Sequence, residues 1–512
     1  MKPIVLDYIA GHARVQPNKL ATVDLATSRR WTYAQFDDAI DRAAHVLKDM
    51  DVGAGDRVAM LSRNSVDMLI AHFACVRIGA IFVPLNWRLA APEVAFLIED
   101  CAPRLLIFES LFEQLVPEWY DRARMCISPE CNALAEAMAA APRPANPGQG
   151  VAVDPETPIT LLYSSGTTGR PKGVVVTQLN AFAGGLNLTL SNRVTHDSVF
   201  LCDMPLFHTA GLMAAARVPL FMGGTVLISQ KFDAVETYQR LSDPELGVTH
   251  YFSVPQMGMM MRQLPGFDGR RLAHLTAYIT GGAPNPAAHI HRWLDDGVEM
   301  LNGWGMSETC SALNAPPGDM DLLRKKAGSV GLALLSCEIR LVDEQGNDVP
   351  AGTVGEIWIR GANVTPGYWN RPEQNAKSFI DGWFRTGDAA YVDEDGFYTL
   401  VDRIKDMFIS GGENVYPAEI EAAITEMESV GEVAVIGVAD ERWGEVGCAF
   451  VVPATGRTLS DIDVLEFCNQ RLARYKIPKS VVITTDIPRN AAGKVLKQTL
   501  RDRMTEAREL TT

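Results

Sequence analysis

Positive charge is in short supply in this sequence. Its 512 residues include 47 Lys or Arg against 62 Asp or Glu, which gives a formal net charge of −15. Nucleic-acid-binding proteins normally carry a basic domain or stripe, so this balance argues against that class of protein. Long apolar runs are missing as well. A membrane-spanning helix needs about 18 consecutive apolar residues, and no segment reaches that length.

Paired cysteines are also missing. The nine cysteines include no C-x-x-C pair, and no second Cys or His pair accompanies Cys126 and Cys131, so the pattern does not predict a zinc site. Scattered thiols are typical of a reducing compartment. The apolar run in Met1–Asp7 is too short for a signal peptide, and Glu509–Thr512 is not a peroxisomal address. We therefore expect a cytoplasmic protein.

The first part of the chain alternates between helical and strand patterns. Residues 33–50 and 65–78 carry apolar positions at helical spacing, whereas 58–61 and 80–85 are short, continuously apolar runs. A length of 512 residues suggests about three units of roughly 150 residues each. Alternation of this kind predicts a mostly parallel sheet covered by helices on both faces.

The later parts of the chain differ in composition and in their predicted secondary structure. Residues 136–158 are rich in Ala, Pro and Gly and are predicted to form a surface connection, after which the α/β pattern resumes. Short strands and turns dominate 327–402, and an α+β pattern follows. The predicted fold is therefore α/β, with layered α/β subdomains and a β-rich subdomain in a large N-terminal domain (1–402), and a small mobile α+β C-terminal domain (403–512).

The strongest local signal is the loop YSSGTTGRPKGV at residues 163–174. It follows an apolar run of strand length, which a flexible linker would not do. Hydroxyls and closely approaching backbone N–H groups can converge there on one anion, and Lys172 adds a positive charge, so the loop suits a polyphosphate. The P-loop pattern G-x-x-x-x-G-K-[ST] is absent because Gly173 follows Lys172. P-loop kinase or GTPase chemistry is therefore disfavoured.

Together with five further blocks, this loop resembles the signature of the adenylate-forming (ANL) superfamily: acyl-CoA synthetases, peptide-synthetase adenylation domains and firefly-type luciferases. The other blocks follow in the family's order, at Gly281–Pro284, Asn302–Thr309, Trp383–Asp388, Asp402–Asn414 and Pro488–Lys494. The resemblance covers nearly the whole chain. Within the superfamily, residues 402–421 and Trp443–Glu445 look like acyl-CoA synthetases for fatty or phenylpropanoid acids.

The resemblance implies that the loop holds the β- and γ-phosphates of ATP. The loop residues that it assigns to the nucleotide are Ser164, Ser165, Gly166, Thr167, Thr168, Gly169 and Lys172. Ser307 is similar to the residue at the α-phosphate, and Glu308 with Thr168 to those that hold the Mg²⁺ ion bridging the phosphates. When a carboxylate attacks ATP both reactants are anions, so such a site must supply positive charge and hydrogen-bond donors.

The nucleoside is assigned by the same resemblance. The adenine-binding elements correspond to Gly281, Gly282, Ala283, Pro284, Asn302, Gly303, Trp304 and Gly305. The Trp304 ring is expected to flank the base; where relatives usually have Tyr, Trp keeps the stacking face and loses the hydroxyl. Asp388 corresponds to the carboxylate that takes the ribose hydroxyls, and Arg403 to its companion.

Two half-reactions require two arrangements of one site, which the family achieves by rotating its C-terminal domain. Lys494 corresponds to the residue that reaches the substrate carboxylate and the α-phosphate during adenylation, and Lys405 to the hinge. After rotation, Ser410, Gly411 and Gly412 are expected to line the pantetheine channel of coenzyme A.

The acid is expected near residues 204–212 (MPLFHTAGL), where His208 is the candidate beside the substrate carboxylate. A satisfied core histidine is the alternative. Ser253–Met257 and the methionines at 259–261 are candidates for the pocket wall, although a methionine-rich helix also suits a simple core. No cluster of Arg or Lys accompanies these blocks, so the predicted acid is apolar: a fatty acid or an aryl-propenoic acid.

These residues predict an AMP-forming acid–thiol ligase that uses ATP, Mg²⁺ and coenzyme A on a small carboxylic acid. The catalytic candidates are Lys494, Glu308, His208 and Ser307. Three alternatives stay open: a stand-alone adenylation domain that loads a carrier protein, a luciferase-type oxygenase, and a non-catalytic acyl or nucleotide binder. A homodimer is also left open.

Overall fold

The fold is described by a computed structural model that covers residues 7–128, 131–142, 154–164, 171–403, 406–410, 413–440, 442–489 and 495–509. The strands in this part of the chain are β1 (Leu20–Asp24), β2 (Arg29–Thr32), β3 (Arg57–Leu61), β4 (Ile81–Leu85), β5 (Leu105–Glu109), β6 (Ala123–Ile127), β7 (Pro158–Ser164), β8 (Lys172–Thr177), β9 (Val199–Cys202), β10 (Thr225–Ile228), β11 (His250–Ser253), β12 (Ala277–Thr280), β13 (Met300–Trp304), β14 (Leu313–Asn314), β15 (Leu332–Ala333), β16 (Cys337–Val342), β17 (Gly355–Gly361), β18 (Phe379–Ile380), β19 (Trp383–Val392), β20 (Tyr398–Arg403), β21 (Phe408–Ser410), β22 (Glu413–Val415), β23 (Val430–Asp440), β24 (Gly444–Pro453) and β25 (Ser480–Ile483).

The α-helices are α1 (Tyr8–Val15), α2 (Tyr33–Asp49), α3 (Val66–Ile78), α4 (Ala91–Cys101), α5 (Ala133–Ala140), α6 (Gln178–Ser191), α7 (Arg217–Met222), α8 (Ala234–Leu241), α9 (Pro255–Arg262), α10 (Ala287–Asp295), α11 (Met320–Lys325), α12 (Pro372–Ser378), α13 (Pro417–Thr425), α14 (Asp461–Asn469) and α15 (Lys497–Glu509). A π-helix over Ala210–Ala216 runs directly into α7. None of the helices in the described ranges is long and apolar enough to cross a membrane.

The first sheet has six strands in the order β6-β5-β3-β4-β7-β8, parallel except for the β7–β8 pair. Side chains alternate between its two faces. In β3, Val58 and Met60 belong to one hydrophobic core, whereas Ala59 and Leu61 belong to another. The predicted parallel sheet covered on both faces is thus confirmed, and this double burial explains why the strands are apolar without a break.

The second sheet has nine strands in the order β15-β14-β13-β12-β11-β9-β10-β1-β2. Its central strands, from β13 to β1, are parallel. Helix α3 packs in a core that contains residues of both sheets, which explains why it is apolar on every side. Ser65 caps the start of α3 by accepting from the Met68 N–H, and Gly79 ends it in the left-handed conformation (φ 72°).

The predicted β-rich region forms a third sheet from β16 to β20, with antiparallel pairing throughout. A fourth sheet uses only strands from β21 onward. Alternation again divides its residues between two cores: Val435 and Val451 on one side, Ile436 and Phe450 on the other. The domain boundary after residue 402 stays a prediction, and the predicted hinge at Lys405 lies outside the described residues.

The predicted surface connection at 136–158 is wrong at its start. Helix α5 runs from Ala133 to Ala140, and the Asn132 side chain caps it by accepting from the Ala135 N–H. Alanine is the strongest helix former, so a run of alanines after an N-cap residue forms a helix even without a long apolar periodicity. Residues 143–153 lie outside the described ranges.

Arg77, in the last turn of α3, joins three elements at the base of this core. Its side chain is buried and pairs with Asp7 at 2.7 Å, with Asp41 at 2.6 Å and with Asp37. Burial raises the pKa of the Asp41 carboxyl, and the Arg77 charge works against that rise. The guanidinium therefore compensates carboxylates that would be costly to bury alone.

We expect Arg77→Met to destabilise the fold by about 3–5 kcal/mol, because it leaves buried carboxylates without their counter-charge. Thermal unfolding at neutral pH measures this as a lower melting temperature. The matched control is Arg14→Met on the exposed side of α1, which should change stability by no more than about 0.5 kcal/mol. Equal melting temperatures for Arg77→Met and the wild type would contradict the role given to Arg77.

Candidate active site

A cavity of ≈ 1190 Å³ opens at the ends of several strands. Gly281 follows β12 and Trp304 ends β13, so both lie at the carboxyl ends of parallel strands, where α/β proteins commonly bind ligands. Ser164 and Lys172, from β7 and β8, line the same cavity. The first sheet and the second sheet therefore each contribute one wall of the cavity.

A buried charge cluster lies at one side of this cavity. The Tyr368 hydroxyl donates to Glu308 Oε1 at 2.9 Å, and Lys172 Nζ lies 5.3 Å from the centroid of the Tyr368 ring. Burial lowers the pKa of the Lys172 ammonium, whereas the Glu308 carboxylate works against that effect. A cation and a carboxylate are thus held close together at a wall where a polyphosphate and its counter-ion would fit.

Ser307 lies beside this cluster and keeps a hydrogen to donate. Thr209 Oγ1 donates to Ser307 Oγ at 3.1 Å. Because Ser307 accepts this bond, its own O–H is available to a ligand oxygen. Thr209 comes from the turn before the π-helix, so the segment after β9 orients a hydroxyl of the segment after β13.

Trp304 and Asp388 are joined by a hydrogen bond of 2.9 Å from the indole Nε1 to Asp388 Oδ2. This bond fixes the plane of the Trp304 ring at the cavity wall. Close backbone approach accompanies it: a Cβ on Gly281 would lie 2.9 Å from the Gly303 carbonyl oxygen, and one on Gly303 would lie 2.6 Å from Asn314 Oδ1. The neighbouring strands therefore pack too closely at Gly281 and Gly303 to admit a side chain.

His208 lies at the turn between β9 and the π-helix and also lines the cavity. Its Nε2 atom is buried and has no hydrogen-bond partner among the described residues. Burial, and secondly the Arg88 charge, lower the pKa of the imidazole to about 4, so the ring is neutral near pH 7. A neutral imidazole with an unpaired nitrogen at a cavity wall is suited to donate to a substrate oxygen.

The C-terminal part of the chain covers the cavity. Arg489, Val495, Leu496 and Lys497 line it, as do Gln498, Arg501 and Asp406. Among the described residues, the Gln256 amide contacts the C-terminal part by donating to Glu432 Oε1 at 3.2 Å. Arg489 pairs with the other oxygen of Glu432 at 2.9 Å. In this arrangement the segment directly after Lys494 faces the cavity.

Most of the described candidates from the sequence meet at the cavity. Those that line it are Ser164, Lys172, His208, Gly281, Gly282, Gly303, Trp304, Gly305, Ser307 and Glu308. Ala283, Pro284, Asn302, Asp388 and Ser410 do not line it, although Asp388 is in contact with Trp304. Asn302 instead donates to the Ser329 carbonyl at 2.8 Å. The backbone of Arg403 pairs with that of Asp388 on neighbouring strands.

Other candidates cannot be placed. Ser165, Gly166, Thr167, Thr168, Gly169, Gly411, Gly412 and Lys494 lie outside the described residues, as does the Arg403 side chain. The predicted pocket wall at 253–261 is not part of the cavity lining. Met257 and Met261 pack in the main core instead, with Tyr278 and Trp293. The core interpretation therefore holds for Met257 and Met261, whereas Met260 is exposed.

Sequence reasoning missed Tyr368 and Thr209. Tyr368 lies within the segment Gly367-Tyr368-Trp369, whose glycine and aromatic residues fit an ordinary turn. Its role depends on the contact with Glu308, a residue 60 positions away. Thr209 lies directly after His208. Its position as a polar neighbour of a candidate residue was the one signal that the sequence offered for it.

Fold and site together define an adenylate-forming α/β enzyme. Residues 9–369 match the family model of the AMP-binding enzyme, and residues 419–494 match that of the AMP-binding enzyme C-terminal domain. The chain therefore belongs to the AMP-binding enzyme family.

Full-length relatives agree with this assignment. An indoleacetate–CoA ligase of Aromatoleum aromaticum is 38% identical over 97% of this chain and 97% of its own length. The long-chain-fatty-acid–CoA ligase FadD13 of Mycobacterium tuberculosis is 37% identical over 96% of each chain. The structure of ATP-bound MatB from Rhodopseudomonas palustris matches with a TM-score of 0.89 at 32% identity, covering 97% of this chain and 98% of MatB. The predicted superfamily and the predicted enzyme class, an AMP-forming acyl-CoA synthetase, are confirmed.

We expect His208 to make stability depend on pH. Because its pKa is lowered to about 4 in the folded state, the unfolded chain binds a proton at a higher pH than the folded chain does. Stability is therefore complete above about pH 6.5 and is lost as the pH falls toward 4. Between pH 7 and 5 the loss due to His208 is about 2 kcal/mol.

His208→Gln should remove this part of the pH dependence, which melting temperatures at the two pH values measure. His196→Gln is the matched control, since His196 is solvent-exposed. An unchanged pH dependence in His208→Gln would show that His208 is not a buried neutral imidazole.

Proposed function

We propose that this protein activates a carboxylic acid with ATP and then forms its coenzyme A thioester. In the first step a carboxylate oxygen attacks the α-phosphorus of ATP, and pyrophosphate leaves. In the second step the sulfur of coenzyme A attacks the acyl carbon, and AMP leaves. The observation that carries the proposal is one cavity that combines Lys172, Ser307 and Glu308 with the unpaired ring of His208.

The charged side of the cavity suits the phosphates of ATP. Lys172 provides a positive charge that burial leaves poorly solvated, so it interacts strongly with an anion. The O–H of Ser307 is available for an α-phosphate oxygen because Thr209 already donates to this residue. Trp304, held by Asp388, offers its ring face to adenine. The loop residues 165–169 are proposed to complete the phosphate contacts.

A magnesium ion fits the same side. Glu308 supplies a carboxylate oxygen, the kind of ligand that Mg²⁺ prefers, and it is oriented by the Tyr368 hydroxyl. We propose Glu308 and Thr168 as its protein ligands. The ion would neutralise charge on the phosphates, while Glu308 and Lys172 keep them oriented for attack.

The acid is proposed to enter beside His208. As the Nε2–H tautomer, the neutral ring donates to a carboxylate oxygen and aligns it without forming a tight ion pair that would weaken the nucleophile. Beyond His208, the cavity is lined by small and apolar residues: Ala181, Gly184, Gly185, Leu188, Met213 and Ala214. This lining favours an aliphatic or aryl acid, in line with the indoleacetate and long-chain fatty acids of the two relatives.

The second step is proposed to follow a rotation of the C-terminal domain about Lys405. The Gln256–Glu432 hydrogen bond is one of the contacts that would have to break. Ser410, Gly411 and Gly412 are proposed to line the channel for the thiol after the rotation. Coenzyme A is the proposed acceptor, because both full-length relatives are CoA ligases.

The reaction is tested by supplying ATP, Mg²⁺ and a panel of aliphatic and aryl acids, and measuring pyrophosphate, AMP and thioester. We expect acid-dependent pyrophosphate release, with AMP formed only when an acceptor thiol is added. Acid-dependent ADP release would contradict the proposal. A relative at 35% identity is a fatty acid–[acyl-carrier-protein] ligase, ScoC of Streptomyces coeruleorubidus, so a loaded carrier protein is the second acceptor to compare.

Lys494→Ala should separate the two half-reactions. We expect it to lower acyl-adenylate formation by at least about a hundredfold, since it removes the positive charge proposed to act on the attacking carboxylate and the α-phosphate. Thioester formation from preformed acyl-adenylate should stay close to the wild-type rate. Single-turnover assays of each half-reaction measure the two effects.

The matched control is Lys231→Ala, an exposed lysine away from the cavity lining, which should leave both rates unchanged. Equal losses in the two half-reactions of Lys494→Ala would contradict a role restricted to adenylation.

A further inference from the structure

A second, much smaller cavity lies beyond the apolar end of the large one. Its volume is ≈ 10 Å³, and it is lined by Tyr8, Ala181, Phe182, Gly185, Arg217 and Phe221. Ala181 and Gly185 line the large cavity as well. The two cavities therefore share part of helix α6 as a wall.

The opposite wall is continuous too. In the π-helix and α7, Met213 lines the large cavity, while Arg217 and Phe221 line the small one. Residues about four apart lie on the same side of a helix, so these three form one stripe that faces α6. Arg217 is nine residues beyond His208, which corresponds to at most about 13 Å along a helix axis. An acid held at His208 can therefore point its far end toward Arg217.

Arg217 is a deeply buried cation. Its exposure is 5%, and the described residues place no carboxylate within ion-pair distance of it. Its neighbours are the rings of Tyr8 and Phe73, 5.7 and 5.2 Å from the guanidinium carbon, and the imidazole of His72, which accepts from Nη1. Arginine has five N–H donors, so most of them are left for another acceptor.

His72 does not supply the missing negative charge. Burial, and secondly the Arg217 charge, lower the pKa of His72 well below its usual value, so its ring is neutral. Since Nε2 accepts from Arg217, the ring proton lies on Nδ1, which faces Thr160 Oγ1 at 3.4 Å. His72 therefore orients the guanidinium without neutralising it.

A second donor is available at the same place. The Tyr8 hydroxyl is buried and has no hydrogen-bond partner among the residues that the structure describes. Burial raises the pKa of Tyr8 to about 12, so the hydroxyl keeps its proton. An unpaired O–H and an uncompensated guanidinium in one small cavity are each costly unless an acceptor reaches them.

We propose that Arg217 and Tyr8 form a specificity site for an oxygen atom at the far end of the acid. The preferred acid is then apolar in its middle, where it passes Ala181, Gly184 and Met213, and ends in a carboxylate or a carbonyl oxygen. A space of ≈ 10 Å³ accommodates about one oxygen atom, the size of a single water molecule. This inference rests on the proposed acid-activating function and changes the expected acid at one end only.

The test compares acids of equal length that end in a methyl group, a methyl ketone or a second carboxylate, from hexanoate to decanoate. The kcat/KM for acid-dependent pyrophosphate release is measured with the full-length protein and three variants: Arg217→Met, Tyr8→Phe and Arg14→Met. We expect the wild type to prefer an oxygen-ended acid over its methyl-ended counterpart by about tenfold or more, mainly through KM.

Arg217→Met should reverse this preference, because it replaces the guanidinium by an apolar chain of similar length. Tyr8→Phe should reduce the preference several-fold, and it removes one oxygen only, so it provides the test even if Arg217→Met does not fold. Arg14→Met, an exposed arginine on the same helix as Tyr8, should leave the preference unchanged. A merely structural role of Arg217 would lower kcat/KM for all acids alike.

The outcomes distinguish a failure of the specificity site from a failure of the proposed function. A higher kcat/KM with both kinds of oxygen-ended acid supports the proposal and identifies the acceptor as any oxygen. A higher kcat/KM with the dicarboxylic acids alone also supports it and identifies the acceptor as a carboxylate. A wild type that prefers methyl-ended acids, with the same preference in Arg217→Met and Tyr8→Phe, overturns the specificity site and leaves the proposed function intact. Absence of pyrophosphate release with every acid overturns the proposed function itself and, with it, this inference.

Discussion

Lys172, Glu308 and Tyr368 come from three parts of the chain and meet in one buried cluster. The backbone holds them there: the Trp369 N–H donates to the Gly173 carbonyl at 2.8 Å, and the Thr365 N–H donates to that of Glu308 at 2.7 Å. A buried ammonium and a buried carboxylate are stable only when each compensates the other and further hydrogen bonds are made. The cluster therefore exists only when the two α/β sheets and the β-rich sheet are assembled, and the rest of the site is arranged around it.

The cavity beside this cluster has two chemically different ends. Charges and hydroxyls converge at one end, whereas helix α6 and the π-helix supply small and apolar side chains at the other. His208 lines the same cavity, and its imidazole is neutral near pH 7 because burial lowers its pKa. The C-terminal segment also lines the cavity, and the exclusion of water strengthens the electrostatic interactions inside it.

Two buried arginines of this chain differ in the groups that surround their positive charge. Arg77 is surrounded by three carboxylates and connects α3 with α2 and the start of α1. Arg217 is as deeply buried, yet it contacts two aromatic rings and a neutral histidine. The first arrangement balances the charge within the fold, whereas the second leaves a donor-rich cation at the small cavity next to the large one.

Local pattern was sufficient for the class of fold and for the superfamily. The apolar runs predicted β3 and β4, and the ordered blocks around residues 163–174 and 302–309 identified the adenylate-forming superfamily, because both signals are carried by neighbours in sequence. The position of Tyr368, the surroundings of Arg217 and the packing of Met257 and Met261 were decided by tertiary structure alone. Each depends on contacts between residues far apart in the chain, and on which side chains burial deprives of water, neither of which a linear pattern contains.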